Sequence, residues 1–151
     1  MAYVFTNKTP TQLVFGSKDL EQASLQYPGW VSYQNGQAGE MFTVSDADFV
    51  LLQTQEKKWS HNGTNYVLLD STRVGFNNNK EMMDIEINER VNRINEILGK
   101  YESNSFGAEL QAYKTVLQNL DTSSISYPLT TTLERYLINQ GHSIVGTLQM
   151  V

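Results

Sequence analysis

The side chains in this sequence that could perform acid–base or metal chemistry are two histidines and a small number of acidic residues. His61 and His142 are far apart in the chain, and there is no cysteine, so zinc-thiolate sites and thiol nucleophiles are excluded. No segment matches the glycine-rich loops that bind phosphate groups. We therefore predict that His61 lies in a surface turn, that His142 follows a helix end, and that the protein uses no metal or cofactor.

Two pairs of carboxylates are close enough in sequence to work as acid–base pairs. Asp46 and Asp48 follow Ser45, however, in a pattern typical of a helix N-terminus, where the helix dipole stabilises acidic side chains. Asp84 and Glu86 fall between the apolar positions of a second helix, which predicts that both face solvent. These spacings favour structural roles, and we expect the protein not to be an enzyme.

The bulk composition favours contacts with proteins over contacts with nucleic acids or lipids. The formal net charge is −5, and no basic cluster extends beyond Lys57 and Lys58, which argues against nucleic-acid binding. No apolar run could span a membrane, and the first residues do not form a secretory signal. The 13 Asn and 11 Gln supply uncharged hydrogen-bonding surface, which suits protein–protein contacts but equally fits a genome rich in A and T.

The first half of the chain predicts a β-rich region with one helix. Short apolar runs before the helix are typical of strands, and Asn35-Gly36 between two of them predicts a hairpin turn. Residues 45–58 predict the helix, with two lysines at its C-terminal end. Asn62-Gly63 then predicts a tight turn that joins this helix to a strand over residues 66–70.

The second half changes to the periodicity of amphipathic helices. Apolar residues recur at spacings of three and four, first in a helix that ends near Gly99 and then in one that begins at Ser105. The short connection between them predicts an antiparallel hairpin. The apolar stripe of these two helices comprises Met83, Ile87, Val91, Ile94, Leu98, Phe106, Leu110, Tyr113 and Leu117.

The C-terminal residues predict a compact closing segment. Thr131 and Glu134 indicate the capping box of a short helix, and Gly141 indicates a left-handed helix end. Alternating residues from Ile144 to Met150 predict a final strand. The predicted class is α+β, divided into a β-rich domain over 1–75, a linker over 76–80, and a helical hairpin with a closing helix and strand over 81–151.

The apolar stripe raises the question of what covers it, since two short helices hide little of each other's surface. Either the N-terminal half packs on it as an ordinary intramolecular core, or other chains do. We take the second as the working hypothesis: the nine stripe residues form an interface, and the protein is a homo-oligomer.

The order of these elements resembles a known family. The segment "VSDADFVLLQTQEKK" precedes the strand "NYVLLD", and a later helix carries "ELQAYKTVLQNLD". In Ser45–Lys58 and Glu109–Asp121 the chain is similar to the small tail-fibre assembly and tail-associated proteins of tailed bacteriophages. The proline-rich stretch that usually follows the strand in that family is missing here, and the segment after Asp121 does not fit.

The resemblance implies a non-enzymatic structural or assembly protein of a phage virion, in the tail, the baseplate or the fibre attachment. Its partners would be other virion proteins, and it would reside in the virion or, during assembly, in the host cytoplasm. Whether it is a permanent component or a transient assembly factor stays open. Two alternatives remain: a small enzyme or ligand-binding module that uses carboxylates, and a monomeric phage protein that modulates the host.

Overall fold

The computed structural model describes residues 2–7, 13–17, 39–62, 64–101 and 105–145. Within these ranges the chain has four α-helices and two small antiparallel sheets, so the predicted α+β class is confirmed. The predicted hairpin turn at Asn35-Gly36 lies outside the described residues, as does most of the predicted final strand. Ile144 and Val145, at the start of that strand, have no regular secondary structure.

The first sheet contains three strands in the order β2-β1-β3. β1 (Ala2–Asn7) pairs antiparallel with β2 (Leu13–Ser17) and with β3 (Gly39–Val44). Ala2 and Val4 are two residues apart on β1, and both are buried, because alternate side chains of a strand point to the same face. This face of the sheet forms part of the first hydrophobic core.

The helix predicted over 45–58 is shorter than expected. α1 (Asp46–Gln53) begins after Ser45, whose hydroxyl accepts the Asp48 backbone N–H at 3.1 Å, as the capping pattern predicts. It ends at Thr54, and Gln55 then adopts a positive φ of 62°, a conformation that breaks a helix. The residues that follow form the strand β4 (Lys57–His61), so the lysines do not lie at a helix C-terminus.

The second sheet is a hairpin of β4 and β5 (Tyr66–Asp70). Its turn lies where Asn62 predicts one: the Asn62 Oδ1 accepts the backbone N–H groups of Thr64 and Asn65, both at 2.9 Å. The turn therefore joins two strands and not a helix and a strand. His61 is the last residue of β4 and pairs with Tyr66, so its assignment to the turn is also wrong by one position.

Two long helices form the centre of the second half. α2 (Lys80–Tyr101) begins after Asn79, whose side-chain oxygen accepts the Met82 N–H at 2.9 Å, and it ends at Tyr101, close to the predicted end near Gly99. α3 (Ser105–Asn119) begins at the predicted residue. Thr122, just after α3, donates to Asp84 in the first turns of α2 at 2.7 Å, so the two helices run antiparallel.

The predicted linker over 76–80 is an ordered part of the fold. Asn77 is fully buried, its side-chain NH₂ donates to Glu86 at 2.8 Å, and its carbonyl accepts the Leu129 N–H at 2.8 Å. Because both contacts lead into the second half, this segment is tied to the helices that follow it.

The closing segment contains a 3-10 helix (Thr122–Ser124) and α4 (Leu133–Asn139). The cap of α4 is Thr132 and not Thr131, since the Thr132 hydroxyl accepts the Arg135 N–H at 3.1 Å. Gly141 adopts the predicted left-handed conformation, with φ of 87°. The N–H groups of Gly141 and His142 bond to carbonyls of the last turn, as in a Schellman motif.

The described residues form two separate hydrophobic cores. The N-terminal core is built from the three-stranded sheet, α1 and the hairpin, and its buried members are Ala2, Val4, Val44, Phe49, Leu52 and Trp59. The C-terminal core is built from α2, α3 and the closing segment. None of the described helices combines the length and the hydropathy of a bilayer-spanning segment.

Candidate functional site

The nine residues predicted as an interface lie on α2 and α3, and most of them are interior. Seven are between 0% and 8% exposed, while Val91 is half-buried against them; the Phe106 side chain lies outside the described residues. The fully or nearly fully buried members are Met83, Ile87, Ile94, Leu98, Leu110, Tyr113 and Leu117. An enclosed side chain offers no area to another chain, so these residues have an intramolecular role instead.

The stripe is covered by the closing segment of the same chain. Ile125, Leu133 and Leu137 are buried against it, and Tyr127 and Leu129 are partly buried there. Among the described residues, the members of this core come from α2, α3 and the segment after α3. This burial favours the intramolecular alternative, with the described covering residues coming from the C-terminal end.

A buried ionic cluster lies beside this core. Arg90 is fully buried and binds Glu134 of α4 through two hydrogen bonds, Nε to Oε2 at 2.7 Å and Nη2 to Oε1 at 3.2 Å. Its Nη2 also lies 3.7 Å from the Oε1 of Glu86, one helical turn earlier on α2. Arg73, from the loop after β5, bridges Glu86 and Glu89, both at 3.2 Å. The cluster joins three parts of the chain.

Burial and charge act in opposite directions on Arg90. Burial alone lowers the pKa of its guanidinium, but the negative charges of Glu134 and Glu86 reverse this effect and raise the pKa above its usual range. Tyr113 lies in the same interior region; burial, together with the charge of Glu134, raises the pKa of its hydroxyl well above the ordinary value. At neutral pH the arginine is charged and the tyrosine is neutral.

The cluster corrects the prediction for Glu86, which was expected to face solvent with Asp84. Glu86 is fully buried, whereas Asp84 is partly exposed and binds Lys80 and Thr122, each at 2.7 Å. The hydrogen bond from Lys80, followed by that from Thr122, lowers the pKa of Asp84. Both carboxylates are thus engaged in structural contacts.

The sequence carried a signal for this cluster that a purely apolar search overlooks. Positions 83, 87, 90 and 94 follow the spacing of the buried stripe, so Arg90 lies on the inward side of α2. Glu86 precedes it by four residues on the same side. A charged residue on a buried helical position implies a buried counter-charge, but not which of the later glutamates supplies it.

The remaining candidates for acid–base chemistry do not converge in the described part of the chain. Asp48 accepts a hydrogen bond from the Tyr66 hydroxyl at 2.7 Å, which ties α1 to the hairpin. His142 is exposed at the end of α4, and the His61 side chain lies outside the described residues. Among the residues that the structure describes, no group of three His, Cys, Asp or Glu side chains could hold a metal ion.

Comparison with protein-family models, with curated proteins and with solved structures finds no match for this chain.

An exposed apolar surface lies on the outer side of the β4–β5 hairpin. The inner side packs Trp59 and Leu68, a directly opposed pair, into the N-terminal core, and Trp59 stacks on Tyr66 with ring centroids 5.1 Å apart. The outer side carries Val67 and Leu69, which are 40% and 43% exposed. We call these two residues, with Ser60 and Lys58 opposite them on β4, the hairpin face.

The hairpin face belongs to β5, whose outer edge has no partner among the described strands. Within the described ranges the second sheet has the order β4-β5 and no third strand. Tyr66 to Leu69 include no charged residue and no proline, the features that usually protect an exposed strand edge from pairing. An edge of this kind is a template for main-chain hydrogen bonding with another strand.

Proposed function

We propose that this chain is a non-enzymatic structural or assembly protein of a tailed phage virion, and that it acts through protein–protein contacts. The observation that carries the contact role is the hairpin face: two large apolar side chains directed to solvent on a strand whose outer edge is unpaired among the described strands. The virion setting rests on the resemblance of residues 45–58 and 109–121 to phage tail-associated and tail-fibre assembly proteins.

The hairpin face takes the place of the helical stripe in this proposal. A stripe that is enclosed by its own chain exposes nothing to a partner, whereas Val67 and Leu69 keep exposed apolar surface that a second chain could cover. The hairpin is held in place from behind by Trp59 in the N-terminal core. A rigid support of this kind reduces the entropy that is lost on binding.

The alternative of a carboxylate enzyme has less support from the described residues. Glu86 and Glu134 are buried, but each is hydrogen-bonded or ion-paired to arginine, which leaves neither carboxylate ready to accept a proton from a substrate. The third possibility, a monomeric phage protein that modulates the host, makes no use of the hairpin face and is separated from the first by experiment.

The proposal is tested by asking where the chain is found in infected cells. Tailed particles and tail intermediates are separated on a density gradient, and the chain is quantified in each fraction with an antibody. We expect it in a constant ratio to a tail protein, either in the particle or, for an assembly factor, in the intermediates alone. If the chain remains only in the soluble fraction, the proposal is wrong.

Two variants connect this result to the hairpin face. Val67→Glu places a charge on it, and we expect at least about tenfold less chain in the particle or intermediate fractions, because a buried apolar contact is replaced by a desolvated carboxylate. Val50→Glu is the matched control, since Val50 is a similarly exposed valine on α1 at 36%. Equal loss with both variants would contradict a specific role for the hairpin face.

A further inference from the structure

We propose that two copies of this chain associate through the outer edge of β5, with which no other described strand pairs, as an antiparallel pair with twofold symmetry centred on Leu68. The inference rests on the proposed function, because it uses the hairpin face as the contact surface, but it names the occupant: a second copy of the same strand.

The backbone groups that would pair can be identified from the hairpin register. In an antiparallel ladder, directly opposed residues alternate between hydrogen-bonded and non-bonded pairs. The Asn62 N–H bonds to the Asn65 carbonyl at 3.1 Å, and the residue pairs that follow are His61 with Tyr66 and Ser60 with Val67. Because of this alternation, the backbone N–H and C=O groups of Val67 and Leu69 point towards β4. The backbone N–H and C=O groups of Tyr66, Leu68 and Asp70 point to the outer edge of β5.

The outward backbone N–H and C=O groups of β5 can form hydrogen bonds with the same groups of a second copy. When Leu68 lies opposite Leu68 of the partner subunit, Tyr66 lies opposite Asp70 of the partner subunit, and the reverse pair is generated by symmetry. All residues in these pairs have outward backbone groups, so the interface would contain about six main-chain hydrogen bonds. The hairpins would then join into one continuous four-stranded sheet.

The same register places apolar side chains opposite one another. Val67 comes to lie opposite Leu69 of the partner subunit, and both belong to the exposed hairpin face, so two apolar cross-strand pairs form on the outer side of the joined sheet. If the register shifted by two residues in one direction, Asp70 would lie opposite Leu68 of the partner subunit. In the other direction, Leu69 would lie opposite Asn65 of the partner subunit. The segment thus pairs best with itself in the register centred on Leu68.

The charges near this edge do not oppose self-association. No charged residue lies between Tyr66 and Leu69, and Asp70 at the strand end is bound by Lys57 of its own hairpin. The hydrogen bond and the charge of Lys57 lower the pKa of Asp70, so the negative charge of Asp70 is partly balanced within its own hairpin. No like charges face each other across the proposed twofold axis.

The expected affinity is modest. Two five-residue strands bury less than the roughly 1,200 Å² that is typical of stable complexes, so we expect dissociation constants in the micromolar range. Sedimentation velocity from about 5 µM to about 500 µM covers this range. We expect the wild-type mass to rise from that of the 17.1 kDa chain towards twice this value as concentration increases.

Two double variants test the register itself. Val67→Glu/Leu69→Glu opposes carboxylates across the axis, and we expect dimerisation to weaken at least about tenfold. Val67→Lys/Leu69→Glu opposes lysine to glutamate in both symmetric pairs, and we expect it to dimerise much more tightly than the first variant. Both variants share Glu at position 69 opposite Lys58, so they differ only in the charge at position 67. Far-UV circular dichroism and melting temperature verify that each variant is folded.

The outcomes separate this inference from the proposed function. A wild-type chain that remains monomeric at all concentrations overturns the β5 pair, and so does an equal loss of dimer in both double variants. Val50→Glu must dimerise like the wild type; if it does not, the contact lies elsewhere. Should the wild type be a monomer while Val67→Glu still removes the chain from the gradient fractions, the hairpin face binds a different virion protein and only the self-pairing is wrong.

Discussion

Arg90 is a buried charged side chain that links α2 to α4. Its guanidinium is fully enclosed, and its charge is balanced by Glu134 through two hydrogen bonds and by Glu86 at longer range. Within the described residues, its Nη1 has no hydrogen-bond partner and lies 3.7 Å from the Oε2 of Glu89. A charge in this position is tolerated only while its counter-charges are present, so the cluster enforces one arrangement of α2 and α4.

We expect Glu134→Gln to reduce the free energy of unfolding by about 3 kcal/mol, because it removes the main counter-charge of a buried arginine. Urea denaturation measures this value. Lys80→Gln is the control, since the Lys80–Asp84 pair lies on α2, the helix of Arg90, but is about half exposed, so its loss should reduce stability much less than Glu134→Gln. Similar costs for the two variants would show that the cluster is not the dominant electrostatic contact.

The buried hydroxyl of Tyr113 makes the protein less stable at alkaline pH. Burial, and then the charge of Glu134, raises the pKa of its hydroxyl well above 10.0, the value expected in the unfolded chain. Above about pH 10 the unfolded state therefore releases a proton that the folded state retains, so the stabilisation is complete below this pH and is lost above it. The free energy of unfolding of Tyr113→Phe should therefore fall less between pH 9 and pH 11 than that of the wild type. Urea denaturation at each pH measures both. Parallel wild-type and variant curves would contradict this.

The contacts that each segment makes determine whether it forms a helix or a strand. Lys57 and Lys58 were predicted to end a helix and His61 to lie in a turn, yet residues 57–61 form β4, because Trp59 is buried opposite Leu68 and stacked on Tyr66. α2 and α3 follow their apolar spacing closely, since that spacing coincides with the face that the closing segment covers. A segment adopts its locally preferred secondary structure where tertiary packing stabilises that structure. Where packing stabilises a different structure, the segment adopts that one instead.

Ile94 and Ile85 on α2 distinguish a core position from a surface position. Ile94 is fully buried and Ile85 is 55% exposed. We expect Ile94→Asp to destabilise the protein by at least about 4 kcal/mol, because an unpaired carboxylate would replace a core side chain, whereas Ile85→Asp should change stability by less than about 0.5 kcal/mol. Thermal unfolding followed by circular dichroism measures both. If Ile94→Asp stays fully stable and only lowers the oligomeric mass, the stripe is an interface after all.

Polar contacts between described residues connect the two cores. Glu56, after α1, accepts two hydrogen bonds from Arg135 of α4, at 3.0 Å from Nε and at 2.6 Å from Nη2. Gln53 donates to the Ile144 carbonyl at 3.4 Å, and Arg73 reaches α2 from the loop after β5. Contacts of this kind orient the halves without merging their apolar interiors.

We expect Glu56→Ala to uncouple the two halves in part. Trp59 is buried in the N-terminal core and reports the unfolding of that core by fluorescence, while circular dichroism is dominated by the long helices of the second half. The two thermal transitions should coincide in the wild type and separate in Glu56→Ala, with a cost to stability of about 1 kcal/mol because the pair is partly exposed. Coincident transitions in the variant would show that other contacts carry the coupling.

The features that the sequence alone determined are those whose causes lie within a few residues of each other. Ser45 caps α1, Asn62 forms a turn and Gly141 ends α4, because a side chain or a free φ acts on the adjacent backbone. The apolar spacing of the two long helices is equally local. These cues were sufficient for the α+β class and for the helical hairpin.

The tertiary structure decided the features that depend on distant partners. Arg90 is buried because Glu134, 44 residues later, reaches it, and no local pattern identifies that partner. Residues 57–61 become a strand because residues 66–70 pair with them, and the apolar stripe is closed by Leu133 and Leu137 of the same chain. Burial and ion pairing are properties of a three-dimensional neighbourhood, so their outcome follows only when the packed elements are known.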